Sequence, residues 1–164
     1  MKLISIGKKP SHRLSYLAAS LDMHGAFLIH DGRSLWFIKG AYVEAIVNTI
    51  NGFSAERQAD LWNGIGLGAT YARGADEIAL THLVKLSNDF RPQLAQGAAF
   101  FAAKARERAG NPTHHTTQAG KILSATDAVA AARITDDALI DLPYDGPEPA
   151  YEIWRQRTQN HHNE

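Results

Sequence analysis

The sequence contains no cysteine, which removes several kinds of site at once. The chain therefore has no disulfide framework, no thiolate nucleophile and no cysteine-ligated zinc site. It also lacks an excess of charge of either sign, because 17 lysines and arginines balance 17 aspartates and glutamates. A protein that binds nucleic acid or an anionic membrane surface usually carries a basic excess, so we expect neither partner.

Long apolar runs are missing as well. No run approaches the roughly 20 residues needed to cross a bilayer, and the N-terminal segment lacks the apolar stretch of a signal peptide. These absences favour a cytoplasmic protein without a membrane partner. Histidines at metal-site spacing are also missing, since neither His-x-x-x-His nor His-Glu-x-x-His occurs. We therefore predict no metal site and no cofactor.

What is present is the composition of an ordinary globular domain. The 164 residues are 45% apolar and 21% charged, which fits one domain over residues 1–164 with flexible arms at 1–10 and 158–164. Capping residues repeatedly precede apolar runs with a helical period. This pattern predicts an all-α fold, an array of about six to eight helices in antiparallel pairs, with room for a short strand within residues 1–10.

Two consecutive helices within residues 32–74 form the centre of the predicted fold. The first is apolar nearly all round, which favours burial on most of its sides. Its Trp36 is a candidate substrate contact. The second helix begins near Ser54 and contains three glycines, each costing about 0.8–1 kcal/mol relative to alanine in a helix. We expect Trp36 and Trp62 to be buried and Trp154, in a terminal amphipathic stretch, to be partly exposed.

One side of the second helix carries a stripe formed by Arg57, Asp60, Gly64, Gly68 and Tyr71. In one interpretation this stripe lines a pocket: Asp60 and Tyr71 are catalytic groups, and Arg57 and the two glycines contact the substrate. In the other, the glycines permit a helix–helix crossing with an Arg57–Asp60 ion pair at its edge. Pattern alone favours the crossing. Three glycines and a tyrosine exceed what one crossing needs, however, and on that ground we favour the pocket.

Three further positions carry candidate polar groups. Glu44 interrupts the first central helix. It is either a catalytic acid or base, or else it marks the one wet face of that helix or pairs with a nearby arginine such as Arg33. Of the adjacent His114 and His115, we expect one to be buried and hydrogen-bonded and the other exposed, with His115 the catalytic candidate. Gln96 is a candidate substrate contact, or else a buried amide that cross-links helices.

Several segments together resemble a known but uncharacterised family. GRSLWFIKGAYVEAI, DLWNGIGLGATYARG, QLAQGAAFFAAKARERAGN, the Thr-His-His-Thr segment and YEIWR occur in the order and spacing of UnbL-type proteins. Genes for such proteins lie beside enediyne and related natural-product biosynthetic genes. The resemblance covers roughly residues 30–135 and 151–155, in the C-terminal half of proteins about twice as long. It implies a setting in specialised metabolism and identifies no catalytic residue.

Two functions follow as expectations. The first is binding or transformation of an apolar biosynthetic intermediate without a redox cofactor, as in a cyclase, isomerase or hydrolase. The second is a non-catalytic module that assembles a biosynthetic complex. A haem or metal carrier using histidine is a weaker third. The longer relatives look like two repeats that cover each other, so we also expect this single repeat to form a homodimer.

Overall fold

The computed structural model describes residues 30–143 and 146–161. Helix α1 occupies residues 30–38, followed by α2 (Val43–Ile50), α3 (Ala55–Tyr71) and α4 (Glu77–Ser87). A 3₁₀ turn, Asn88–Phe90, leads into α5, which runs continuously through Arg91–Gln96, a π-helical Gly97–Ala103 and Lys104–Arg108. The last three helices are α6 (His114–Ser124), α7 (Ala128–Asp137) and α8 (Ala150–Asn160).

The predicted all-α fold is confirmed, since no residue in the described ranges belongs to a strand. The strand expected within residues 1–10 and the helix expected from Ser11 lie outside those ranges. We expected a flexible arm from residue 158 onward, but residues 158–160 belong to the last helix. Thr158 is completely buried within α8, where its hydroxyl accepts a hydrogen bond from Gln96.

Short polar side chains cap the N-termini of three of the described helices. Asp76, Thr113 and Asp127 each accept a hydrogen bond from a backbone N–H in the first turn of α4, α6 and α7. These bonds satisfy amides that have no partner inside the helix. Ser54 occupies the N-cap position of α3, as predicted, but its hydroxyl makes no capping bond.

One predicted helix boundary is wrong. A threonine before each of two apolar stretches predicts two short helices, Thr126–Arg133 and Thr135–Leu142, but α7 continues past Thr135 as a single helix. Thr135 is fully buried, and its hydroxyl donates to the Ala131 carbonyl within the helix. A threonine can cap a helix or bond back to the preceding turn, and the sequence does not distinguish these uses.

The core is built around α3, which packs mainly against α5 and also against α6 and α2. Trp36 and Trp62 are each only 1% exposed, as predicted, and they pack with Ile46, Ile50 and other apolar side chains of the first six helices. Trp154 is only partly buried, and its indole N–H donates to the Thr135 carbonyl. A second, alanine-rich cluster joins α5 to α7.

Candidate functional site

The glycines of α3 lie against neighbouring backbone. A Cβ atom on Gly66 would overlap the Leu94 carbonyl and come within 2.8 Å of the Ala98 nitrogen. A Cβ on Gly97 would likewise overlap the Asn63 carbonyl. The two helices α3 and α5 therefore approach each other too closely for any side chain at these positions. The π-helical segment of α5 begins at this same crossing.

Gly64 and Gly68 lie where α3 meets α1. Gly64 touches Gly32, since a Cβ on Gly32 would lie 3.0 Å from the Gly64 Cα. A Cβ on Gly68 would lie 2.9 Å from the Cβ of Trp36. The Trp36 side chain fills the space beside Gly68, and the backbone of α1 at Gly32 lies against Gly64. Our preference for a pocket here is therefore corrected: Gly64, Gly68 and Trp36 form a helix crossing, and α3 needs several glycines because it crosses α1 and α5.

A buried polar cluster joins α3, α5 and α8. The Gln96 amide is completely buried; its Oε1 accepts from Asn63 at 2.7 Å, and its Nε2 donates to the Arg155 carbonyl at 2.7 Å and to Thr158 at 3.1 Å. Of the two interpretations of Gln96, the structure shows the buried amide that cross-links helices, and its role as a substrate contact stays a prediction. Arg155 also lies 3.5 Å from the Asp60 carboxylate and 3.4 Å from Glu152. The predicted Arg57–Asp60 pair is wrong, because Arg57 is exposed and Arg155 is the partner of Asp60.

Asp60 is electrostatically unusual within this cluster. Burial raises the pKa of its carboxyl above the ordinary 3.8, and the nearby Arg155 guanidinium only partly offsets this effect. Two buried polar atoms here, Asn63 Oδ1 and Arg155 Nε, have no hydrogen-bond partner among the residues that the structure describes. The cluster therefore joins α3, α5 and α8, and the burial of its polar groups costs desolvation free energy.

Tyr71 and His115 lie near the C-terminal end of α3. His115 Nε2 is 2.8 Å from the Ala69 carbonyl and the ring is partly buried, whereas His114 is exposed, much as predicted. Tyr71 is 47% exposed, and the Arg106 guanidinium lies over its ring at 4.1 Å. Asp60 is 11 residues earlier in the helix, a rise of about 16 Å. Asp60 and Tyr71 therefore do not meet in one site.

The structure places Glu44 in a different region, beside α4. Its carboxylate lies 3.3 Å from Nδ1 of His82, and both side chains are nearly half exposed. Glu44 therefore marks a wet face, as one of our two interpretations had it, but its partner is His82 rather than Arg33. A histidine and a carboxylate in contact form a pair that can exchange a proton or bind a polar group.

The Glu44–His82 pair borders an open groove between α2 and α4. The groove consists of two adjoining depressions of about 280 and 450 Å³ that share Ile78 and His82. Its apolar lining includes Ile78, which is 80% exposed, and Tyr42, which is 62% exposed. The remaining lining is Ala41, Val43, Glu44, Asp76, Glu77, Ala79, Thr81 and Lys85. We call this surface the α2–α4 groove.

The apolar pattern of residues 76–86 predicts a core stripe of Ile78, Leu80, Leu83 and Val84 and gives His82 no role. The assignment of Ile78 to the core is wrong, because its side chain is exposed. Leu80 and Leu83 are fully buried, but Ile78 is two residues before Leu80 and so lies about 200° away around the helix. The helical period therefore indicates that Ile78 faces away from the core. Nothing local to His82 indicates that it meets Glu44, because the contact joins separate helices.

The described residues contain no group of three or more histidine, aspartate or glutamate side chains placed to hold a metal ion. Within the same part of the chain, no helix has the length and apolar character required to span a membrane.

Comparison with known proteins gives one match. Residues 13–162 fit the model of the DUF1702 family, which is described as a protein of unknown function. No curated protein and no solved structure matches the chain. Because the match covers almost the whole sequence, the chain belongs to the DUF1702 family.

Proposed function

We propose that this protein binds an apolar small molecule of specialised metabolism in the α2–α4 groove. The observation that carries the proposal is the Glu44–His82 contact at 3.3 Å, beside the strongly exposed Ile78 and Tyr42. Binding sites for small molecules commonly combine an apolar lining with a few polar groups that orient the ligand. The metabolic setting rests on the resemblance to UnbL-type proteins.

The two kinds of side chain have separate roles in this proposal. Ile78 and Tyr42 lose exposed apolar surface when a ligand covers them, which favours binding by about 25 cal/mol for each Å² removed from water. His82 directs Nδ1 toward Glu44, so Nε2 is the ring nitrogen that faces a polar group of the ligand. If the ligand is transformed, the same pair serves as its acid or base, and Glu44 keeps the catalytic role predicted for it.

Copurification tests this proposal without knowledge of the ligand. Wild type and Ile78→Ser are purified in parallel, and their organic extracts are compared by untargeted mass spectrometry. The matched control is Val129→Ser, because Val129 on α7 is also strongly exposed, at 62%, and lies outside the groove. A compound retained by wild type and the control but lost from Ile78→Ser supports the proposal. Identical extracts from all three proteins contradict it.

A second candidate function is assembly with another protein. Phe37 is 56% exposed and Ile38 77% exposed at the end of α1, close in the chain to Tyr42. Exposed apolar residues that extend past a small groove are typical of protein–protein contacts. Substitution of both by serine should reduce recovery of a protein partner in cross-linking experiments and leave the retained small molecule unchanged. Loss of the small molecule alone would favour the first function.

A further inference from the structure

The smaller depression of the α2–α4 groove is anionic. Among the described residues that line it, Glu44 and Asp76 carry the formal charges. Lysine and arginine occur nearby in the sequence at Lys39, Arg73 and Lys85, but none of these three side chains lines the smaller depression. A ligand that enters it therefore meets two carboxylates and no lysine or arginine from the described part of the chain.

The positions of the two carboxylates in their helices reduce this negative charge without cancelling it. Glu44 is in the first turn of α2, and Asp76 is the N-cap residue of α4. A helix N-terminus carries about half a positive elementary charge, so two termini offset about one of the two negative charges. Both side chains remain exposed, which leaves them accessible to a ligand while they also stabilise their helices.

The acidic and imidazole groups of the depression present hydrogen-bond acceptors. Asp76 Oδ1 accepts from the Ala79 amide at 2.8 Å, but a carboxylate can accept about four hydrogen bonds, so Asp76 retains capacity for a ligand. His82 Nδ1 lies 3.3 Å from an oxygen of Glu44. An ionised carboxylate only accepts, so this contact assigns the proton to Nδ1, and Nε2 of the neutral ring is then an acceptor. Such a set of atoms suits a ligand group that donates hydrogen bonds.

We propose that the ligand of the α2–α4 groove is an apolar compound that carries a protonated amine. This inference rests on the proposed function and adds the chemical class of the ligand. An ammonium group has three N–H donors and no acceptor, which matches the acceptors of Glu44, Asp76 and His82 in the smaller depression. The aromatic ring of Tyr42 attracts a cation as well. The apolar part of the ligand covers Ile78, which lines both depressions, whereas a carboxylate or phosphate would meet like charge.

Three probes that share one apolar group and differ in the polar group test this assignment. Phenylbutylammonium, phenylbutanol and phenylbutyrate are titrated separately into the protein, and the Ile78 methyl signal in NMR spectra reports binding. The ammonium probe should bind about three- to tenfold more tightly than the alcohol, an effect of the size expected for one or two exposed charge pairs. The carboxylate probe should bind most weakly, and added salt should reduce these differences. Equal affinities, or tightest binding by the carboxylate probe, overturn the assignment.

Asp76→Asn and Asp127→Asn are a matched pair of variants for the same titrations. Each aspartate accepts from a backbone amide at 2.8 Å at the start of its helix, and asparagine caps a helix about as well. Asp127 does not line the groove. Asp76→Asn should weaken binding of phenylbutylammonium about threefold and leave that of phenylbutanol unchanged, while Asp127→Asn should change neither. A preference for the ammonium probe that Asp76→Asn leaves in full overturns the proposal.

If no probe shifts the Ile78 signal, the compound that wild type retains and Ile78→Ser loses decides the matter. Retention of this compound on a sulfonate cation-exchange resin at neutral pH shows that it carries an ammonium group and supports the inference. A neutral or anionic compound overturns this inference alone and leaves the groove as the binding site. Identical extracts from wild type and Ile78→Ser overturn the proposed function and this inference with it.

Discussion

Asn63 donates a hydrogen bond from Nδ2 to Oε1 of Gln96 at 2.7 Å, and both side chains are completely buried. The bond lies next to the place where Gly97 meets the Asn63 backbone. Polar and steric contacts thus coincide at one crossing of α3 and α5. The Gln96 amide extends the connection to α8 through the Arg155 carbonyl.

Replacement of Gln96 by leucine should lower the free energy of unfolding by about 1–3 kcal/mol. Leucine has a similar volume but leaves the buried Asn63 Nδ2 without its acceptor, and an unsatisfied buried group carries a penalty of this size. The Arg155 carbonyl keeps its hydrogen bond from the Thr158 hydroxyl. The measurement is urea unfolding at neutral pH. Gln156→Leu is the control, because Gln156 is exposed and its side chain bonds to the carboxylate of Glu148, and its effect should stay within about 0.5 kcal/mol. Equal effects of the two substitutions would contradict the role given to Gln96.

Alanine at Gly66 or Gly97 should lower the free energy of unfolding by about 1–3 kcal/mol or more, since the added methyl group forces two backbones apart. Helix propensity alone predicts the opposite sign, because alanine is the better helix former. The sign measured by chemical denaturation therefore distinguishes a crossing from an open pocket. Gly52→Ala is the control: its Cβ would make only an ordinary 3.4 Å contact with the Thr49 carbonyl oxygen. Stabilisation by Gly66→Ala would refute the crossing.

The raised pKa of Asp60 gives the protein a specific dependence on pH. Because the fold favours the neutral carboxyl, the associated stability is complete below the unfolded value of about 3.8 and is lost as the pH rises through the folded pKa. Asp60→Asn stays neutral at every pH. The stability of wild type relative to this variant should therefore fall as the pH rises from below 3.8 through the folded pKa of Asp60. Denaturation curves across that range provide the test, and a relative gain by wild type would show that Arg155 outweighs burial.

The sequence predicted more of the fold than of the site. Trp36 and Trp62 follow the apolar period of their helices, and their burial could be read from it. The partners of Asp60 and Glu44 could not, because Arg155 is 95 residues from Asp60 in the chain and His82 lies in another helix. The sequence pattern predicted a pair between Asp60 and Arg57. In the folded chain the Asp60 carboxylate contacts Arg155 of α8 instead. The glycines of α3 could be recognised in the sequence. Their structural role could not, because it depends on which helices pack against them.

The substitution Glu44→Gln should weaken ligand binding in the α2–α4 groove with little change in the free energy of unfolding. The Glu44–His82 pair is exposed, so its loss should change the free energy of unfolding by less than about 1 kcal/mol. Retention of the copurifying compound should fall, because His82 loses the carboxylate that orients it. Glu56→Gln is the control, as Glu56 is exposed in the first turn of α3 and lies outside the groove. Equal retention by both variants would remove Glu44 from the site.

The most direct test of the account is NMR of the isoleucine methyl groups during titration with the compound recovered from wild type. Ile78 lies in the α2–α4 groove and is 80% exposed, while Ile140 is 60% exposed just after the end of α7 and Ile65 is fully buried. Binding in the groove predicts a saturable shift of the Ile78 methyl signal, with the Ile140 and Ile65 signals unchanged. A titration that leaves Ile78 unmoved while Ile140 or Ile65 shifts would contradict the central claim that the groove is the binding site.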